Sequence, residues 1–368
     1  MSDNIPEHSA AKVRLLGSYL KRFLSVIAND GFTRQIKIFD LFCGGGIYGS
    51  DGEGSPIVIL REVEGLYFSR KARSQDSPKI DCHFSDLDAT KVENLRNSVQ
   101  LKNLHAPEFG NITFQCRDYR EVVSELTNVL RPDRFVKNFI FIDPYGYKHI
   151  KANDIKNLLA KGNVEVLLFL PTQFMYRFDS NGTPEALKDF IEEIIDIKHW
   201  RENENVWNFV EQLKDSFRKN LGPSVFVDTF TIQKDPQTVF CLFFFSNHIK
   251  GFEKMLEAKW ELDNEQGMGW HYSRSQLSSL FEKQRVHPLE LKLREFLRGN
   301  HKTNGDIYKF TLASGFLPKH AGEVFENLQE NGELVVTSKS GGKVRRKAFY
   351  LNYKTYRDDH DKVSFKLG

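Results

Sequence analysis

Apolar residues recur every three to four positions between Ser9 and Ala28, at Val13, Leu16, Tyr19, Leu20, Phe23 and Ile27. That spacing predicts a helix that buries one face. Beyond it the pattern changes. Short apolar runs at 36–42, 80–85, 111–116, 138–142 and 164–170 alternate with helix-period segments at 90–100, 119–130 and 152–159. Strands alternating with helices predict a parallel sheet covered on both faces. The run 164–170 is the most apolar, which places it near the middle of that sheet. Ser55 before Pro56 reads as the N-cap and first residue of a further helix, because the hydroxyl satisfies a free N–H and proline has none.

The pattern closes differently. Residues 184–221 are helical and charged, and two β-rich runs follow at 224–233 and 238–246, separated only by Lys234-Asp235-Pro236-Gln237. So short a link cannot hold a crossover helix, so the pair is expected to be an antiparallel hairpin. A Rossmann-like sheet that is parallel until a closing antiparallel hairpin is the arrangement of S-adenosylmethionine (SAM) methyltransferases, and is unusual among NAD-binding domains. A helix at 251–260 follows, then helices at 289–297, 304–314 and 318–330. Strands at 334–338 and 345–351, joined by Ser340-Gly341-Gly342-Lys343, complete a winged helix. The expected organisation is a helix in 1–30 packing on a core in 31–262 with a helical insertion at 184–221. A linker at 263–286, a winged helix at 287–354 and a polar tail at 355–368 complete it.

Composition changes this picture little. A chain of 368 residues is long enough for two domains. No apolar run reaches the roughly 18–20 residues that span a bilayer, and residues 1–9 lack the apolar stretch of a signal peptide. The expected address is the cytoplasm, with no membrane attachment. None of the four cysteines, Cys43, Cys82, Cys116 and Cys241, sits in a C-x-x-C pair, so they read as buried free thiols and no metal site is expected. The formal charge of +3 is unevenly placed: residues 287–368 carry fifteen Lys/Arg against ten Asp/Glu, leaving −2 for the rest. Any affinity for nucleic acid is expected toward the C-terminal end.

Candidate chemistry lies at the carboxyl ends of the predicted strands, where open α/β sheets place their ligands. The first strand ends in Asp40-Leu41-Phe42-Cys43-Gly44-Gly45-Gly46. Glycines let backbone approach a ligand closely, and a carboxylate there suits the ammonium of SAM but would repel a pyrophosphate. Asp40, Phe42, Gly44 and Gly46 are therefore the expected cofactor side. Asp86, at the tip of the second strand, is placed to accept bonds from a ribose, whereas Asp88 equally reads as a helix N-cap. Asp118 is placed for an adenine amino group, or as another cap. The fourth strand ends in Asp143-Pro144-Tyr145-Gly146, similar to the D-P-P-Y motif of amino-methyltransferases and, with its glycine, to the D-P-F-G of tRNA guanine-N2 dimethyltransferases. That similarity implies that Asp143 and the Pro144 carbonyl orient an amine while Tyr145 stacks on its ring. Pro171-Thr172-Gln173-Phe174 would line the same crevice, and Arg177 could meet a phosphate. No Ser-His-Asp set, P-loop or H-E-x-x-H stretch is present. In the last domain, Glu323, Glu326 and Glu330 put an acidic stripe on the third helix. Lys339, Lys343, Arg345, Arg346 and Lys347 on the wing are thus the expected nucleic-acid contact.

Several stretches together resemble the three-Cys-motif partner (TcmP) family of methyltransferase-related proteins, from about Ala10 to Tyr272. They are Lys12 with Leu15, Tyr19 and Leu20, then Phe39-Asp40-Leu41-Phe42, Glu53-Gly54-Ser55-Pro56, Phe84-Ser85-Asp86-Leu87-Asp88, Phe141 to Gly146, and Glu165-Val166-Leu167-Leu168. Where that family has alanine after the first strand, this chain has Cys43, a side chain of similar size. The resemblance implies the fold, SAM as cofactor, and a partner protein encoded nearby. Two functions stay open. One is a SAM-dependent methyltransferase acting on an exocyclic amine of a base in DNA or RNA. The other is a non-catalytic nucleic-acid-binding or defence-complex protein built on the same scaffold.

Overall fold

The computed structural model describes residues 7–49, 52–144, 150–179, 190, 193–194, 205–271, 288–342 and 344–368. Two compact units divide the chain, Met1–Arg274 and Ser275–Gly368.

In the first unit, α1 (Glu7–Ala28) leads into β1 (Gln35–Asp40), a small hairpin of β2 (Ile47–Tyr48) and β3 (Gly52–Glu53), and α2 (Ser55–Lys71). β4 (Lys79–Asp86), α3 (Ala89–Leu101), β5 (Ile112–Cys116), α4 (Tyr119–Val129), β6 (Val136–Ile142), α5 (Ala152–Leu159) and β7 (Val164–Leu170) continue the alternation. After α6 (Thr172–Asp179) and α7 (Val206–Leu221) come β8 (Phe226–Asp235), β9 (Thr238–Ser246), α8 (Ile249–Leu262) and β10 (Gly269–His271). The strands lie in the order β10-β8-β9-β7-β6-β1-β4-β5. Pairing from β5 through β7 is parallel, and β9 runs antiparallel to both β7 and β8. The expected closing hairpin is present, with β9 inserted between β7 and β8. Part of the expected helical insertion at 184–221 falls outside the described residues; its final helix is α7.

Alternation along the strands gives each face its own core. One row, from Phe39 and Leu41 to Val166 and Leu168, packs with α4, α5 and α7. The other row faces α1, where Tyr19 meets Phe139 at 5.6 Å and Phe244 at 4.9 Å. A polar tie crosses this second core. Glu165 of β7 is buried and accepts hydrogen bonds from the Tyr19 hydroxyl and, at 2.7 Å, from Ser246. Burial pushes the Glu165 carboxyl upward, and those two donors oppose the shift. The helix α8 passes so close that a Cβ on Gly251 would stand 1.9 Å from Glu165 Oε1. Lys259 of α8 forms a buried ion pair with Asp228 of β8. These contacts fix α1 and α8 over the antiparallel end of the sheet.

Part of the expected linker is structured: β10 pairs in parallel with β8 through Gly269, Trp270 and His271. Three residues after a two-turn loop carry no visible period, so the strand is legible only in space.

The second unit holds α9 (Pro288–Leu297), β11 (Lys302–Thr303), α10 (Asn304–Ala313), α11 (Pro318–Glu330), β12 (Leu334–Ser338), α12 (Tyr353–Asp358) and β13 (Val363–Leu367). Its sheet runs β11-β13-β12. The partner of β12 is therefore β13, not the expected strand at 345–351, and residues 355–368 are not a polar tail. Physical chemistry explains the exchange. Val363 and Phe365 alternate with Ser364 and Lys366 and bury one face in the core. The segment 345–351 instead places Lys347 and Tyr350 at positive φ, 63° and 55°, which no extended strand tolerates.

Candidate functional site

Three acids converge where the parallel strands end. Asp40 closes β1, Asp86 closes β4, and Asp143 follows β6, the two neighbours of β1 on either side. Between them the chain turns through Gly44 and Gly46, both at positive φ (61° and 77°). A Cβ on Gly46 would also meet Leu95 Cδ1 at 2.5 Å, so only glycine suits this position. The turn is pinned on both sides. Gly44 N–H donates to Asp86 Oδ2 at 3.0 Å, and Gly54 N–H donates to the Gly46 carbonyl at 2.7 Å. Asp86 Oδ1 accepts a further bond from Asp88 N–H at 3.0 Å.

Asp40 is the unusual member. It is 0% exposed, its Oδ1 receives a long bond of 3.4 Å from Phe42 N–H, the Ser55 hydroxyl lies beside the carboxyl, and Oδ2 has no hydrogen bond of good geometry. A buried carboxylate short of hydrogen-bond donors resists ionisation. Burial raises the Asp40 carboxyl to about 7; the neighbouring Asp143 adds to the rise, while Ser55, the Phe42 N–H and Lys12 oppose it. Cys43, beside it, is buried and its thiol is pushed up by burial and by the charges of Asp40 and Asp86. It stays a small neutral side chain, as its place in the turn requires.

Asp143 is held from across the unit. Lys12 of α1 forms a part-buried ion pair with it, and Lys12 Nζ lies 4.6 Å from the centre of the Phe169 ring. Pro144 is buried. Tyr145 lies outside the described residues, as does Lys343, and nothing is described of the Arg177 side chain.

The remaining expected residues take other places. Phe42 stacks its ring on Tyr119 at 5.2 Å, and its backbone N–H reaches Asp40. Asp118 caps α4 through Arg120 N–H and pairs with the Arg120 side chain at 3.1 Å. Asp88 caps α3, accepting from Thr90 and Lys91 N–H. Ser55 is not a cap: Gly54 holds that position, Ser55 is the first helical residue, and its hydroxyl lies beside Asp40. Of the cysteines, Cys43, Cys82 and Cys241 are buried, whereas Cys116 is exposed. A cavity of about 240 Å³ between α4 and the sheet, lined by Lys37, His83 and Leu126 among others, is walled by none of the three acids.

Sequence reasoning missed Ser55 and Lys12 as members of the site. Lys12 had a readable signal, since it shares the apolar stripe of α1 with Leu16 and Tyr19, where a lysine needs a partner. Ser55 had none, because Ser-Pro at a helix start is so well explained by capping.

On the winged-helix unit, the wing and α11 neutralise each other. Arg346 meets Glu330 at 3.1 Å, Lys347 meets Glu326 at 2.6 Å and Glu330 at 3.8 Å, and Lys339 meets Asp361 at 2.5 Å. Arg345 is exposed.

The fold is thus a mixed α/β, Rossmann-like sheet with a closing antiparallel pair, followed by a winged helix. The family model described as the GMT-like wHTH domain matches residues 261–341. No curated protein matches the chain in sequence. Among solved structures, the chain is similar to protein LPL1258 from Legionella pneumophila, with 17% identity over 72% of this chain and 92% of that one and a TM-score of 0.39. It is similar to the O-methyltransferase from Bacillus cereus in complex with SAH (11% identity, 62% and 79% covered, TM-score 0.35). An rRNA methylase from Streptococcus thermophilus is also similar (9% identity, 67% and 98% covered, TM-score 0.33). Likenesses this distant carry no function to this chain. Among the described residues, no helix is long and apolar enough to cross a membrane.

The Asp40 carboxyl has a testable consequence for stability. Its folded value, about 7, exceeds its ordinary value of 3.8. The folded state therefore holds the extra proton between those limits, and stability is full below the lower one and falls as pH rises through the upper one. Relative to Asp40→Asn, the wild type should lose on the order of a few kcal/mol between pH about 4 and about 8. Urea unfolding of both proteins across that range measures it. Parallel curves would mean that Asp40 is ionised in the folded chain.

Proposed function

We propose that this chain is a SAM-dependent methyltransferase acting on an exocyclic amine of a nucleic-acid base, with the winged helix holding the polynucleotide. The observation that carries the reading is the Asp40 carboxylate, fully buried at the strand end with Oδ2 unpartnered, beside a turn in which Gly44 and Gly46 take positive φ. An orphaned buried anion is expensive unless a cation completes it. The ammonium of SAM has the right charge for Asp40. Asp86 retains lone pairs for ribose hydroxyls after holding the turn, since each carboxylate oxygen accepts more than one bond. The backbone of Phe42, Gly44 and Gly46 would lie along the methionine portion. Asp118, although a cap, stands at the end of β5, where the adenine would lie. The residues therefore fit the group. When bound, SAM supplies an electrophilic methyl group.

The chain's own part in the reaction is positional. Asp143 accepts from the amine N–H, turns the nitrogen lone pair toward the methyl group and would take the proton that the nitrogen gives up as it is methylated, and the Pro144 carbonyl accepts the second N–H. Tyr145 stacks on the base. The resemblance to the three-Cys-motif partner family fits this reading, and so does the winged-helix model match, since such modules commonly bind nucleic acid.

Two experiments test the proposal. Asp40→Ala should weaken SAM binding by more than tenfold, the loss of a charge-assisted bond, whereas Asp143→Ala should leave it nearly intact and abolish methyl transfer. Proportional loss of binding and transfer in both variants would contradict the division of roles. On the winged helix, exposed ion pairs are weak and screened by salt, so phosphates can compete for Arg346 and Lys347. The double variant Glu326→Gln/Glu330→Gln should bind nucleic acid more tightly, with a salt dependence steeper by about 0.9 per phosphate gained. An unchanged salt slope would remove the wing from the binding surface.

A further inference from the structure

A row of half-buried rings stands beside Asp143 and has no part in the cofactor side. His8, one turn before Lys12 on α1, stacks on Phe240 with centroids 5.7 Å apart and planes 16° apart. Phe240 stacks in turn on Phe169 at 5.2 Å and 27°. Lys12 lies over the Phe169 ring and reaches Asp143. Topology explains the alignment. Phe169 is near the carboxyl end of β7, and Phe240 is near the start of β9, which runs antiparallel to β7. Both residues fall on the α1 face, in the same alternation as Phe244. Deeper rings of that face, Tyr19, Phe139 and Phe244, are fully buried. Phe169, Phe240 and His8 are only partly so, which leaves ring area open at the end of the sheet where the three acids converge.

We propose that His8, Phe240 and Phe169 form a stacking platform for a planar heteroaromatic acceptor, and that Lys12 and Asp143 together read its edge. Aromatic rings hold bases through their π-faces whatever the base. The ion pair adds selectivity: a carboxylate acceptor beside an ammonium donor matches an amine next to an unprotonated ring nitrogen. The amine donates to Asp143 and the ring nitrogen accepts from Lys12. Adenine, cytosine and guanine present such an edge, and uracil and thymine do not. Burial, with Lys234 and Lys12 nearby, shifts the His8 imidazole pKa downward against the pull of Asp235, and so favours the uncharged ring that stacks here on Phe240. The inference rests on the reading of Asp143 as the acid on the acceptor side, and makes Lys12 a residue that contacts the acceptor directly.

The test uses the full chain and a short single-stranded oligonucleotide carrying one fluorescent aminopurine base, made as DNA and as RNA. Stacking quenches that base, so the wild type should quench it on titration. Phe169→Leu and Phe240→Leu should each weaken binding of this probe about tenfold and reduce the quenching, with SAM affinity by calorimetry unchanged. Lys12→Met should lower the preference for the aminopurine over a uracil- or thymine-only oligonucleotide, and Lys12→Arg should retain it. Should the leucine variants fail to fold, His8→Ala at the outer end of the row gives the same readout. Absence of quenching by the wild type with both oligonucleotides, or equal quenching and affinity in the ring variants, would overturn the platform. Failure of the catalytic reading looks different: the probe is quenched on the rings, but the wild type neither binds SAM nor transfers methyl.

Discussion

A carboxylate that loses its water must find a cation, hydrogen-bond donors or a proton. Asp40 sits at the end of the central strand of the parallel sheet, 0% exposed, with Oδ2 unpartnered. Everything around it follows from that. The Gly44–Gly46 turn keeps side chains away from it, Cys43 adds bulk without charge, and Ser55 and the Phe42 N–H offset only part of the desolvation. Among the described residues, Asp40 is the one carboxylate with a buried oxygen that has no hydrogen-bond partner. Other buried carboxylates have partners: Glu165 has Tyr19 and Ser246, and Asp228 has Lys259. A protein that satisfies those two and leaves Asp40 short places its unmet need where ligands of this fold class bind.

The same contrast organises the neighbouring acid. Asp143 stands close enough to raise the Asp40 carboxyl, and Lys12 lies close enough to oppose that rise. Lys12 therefore couples the two halves of the crevice. By holding Asp143 it limits the repulsion that Asp40 meets when it ionises. The helix α1, tied to the sheet through Tyr19 and Glu165, is what carries Lys12 and His8 to the site, so the core packing of α1 has a direct bearing on chemistry about two turns away.

Much of this was legible from residue patterns. Alternating runs announced the parallel strands, the four-residue link 234–237 announced the antiparallel pair, and Asp88 announced its cap. Period and turn chemistry are local, and these features are local. The failures were long-range. Strand β13 was read as tail because its two buried residues, Val363 and Phe365, follow a charged stretch, and only pairing with β12 makes them a strand. Cationic residues at 345–347 drew attention to a wing strand, yet Arg346 and Lys347 turn to the acids of α11, a pairing between segments about twenty residues apart. The acids of the site were found because glycine turns and strand ends mark them. Lys12, His8, Phe169 and Phe240 come from three elements far apart in sequence, and their meeting depends on the antiparallel insertion of β9 beside β7.

If Asp40 is held protonated for want of a cation, then binding one must release that proton. Calorimetric titration of SAM at pH about 6, below the raised value of Asp40, in buffers of different ionisation enthalpy counts the protons exchanged. The wild type should release a large fraction of one proton on binding, and Asp40→Asn should release none while binding more weakly. SAM binding of equal strength in both proteins, with no proton released by either, would contradict the assignment of Asp40 as the partner of the ligand's cation.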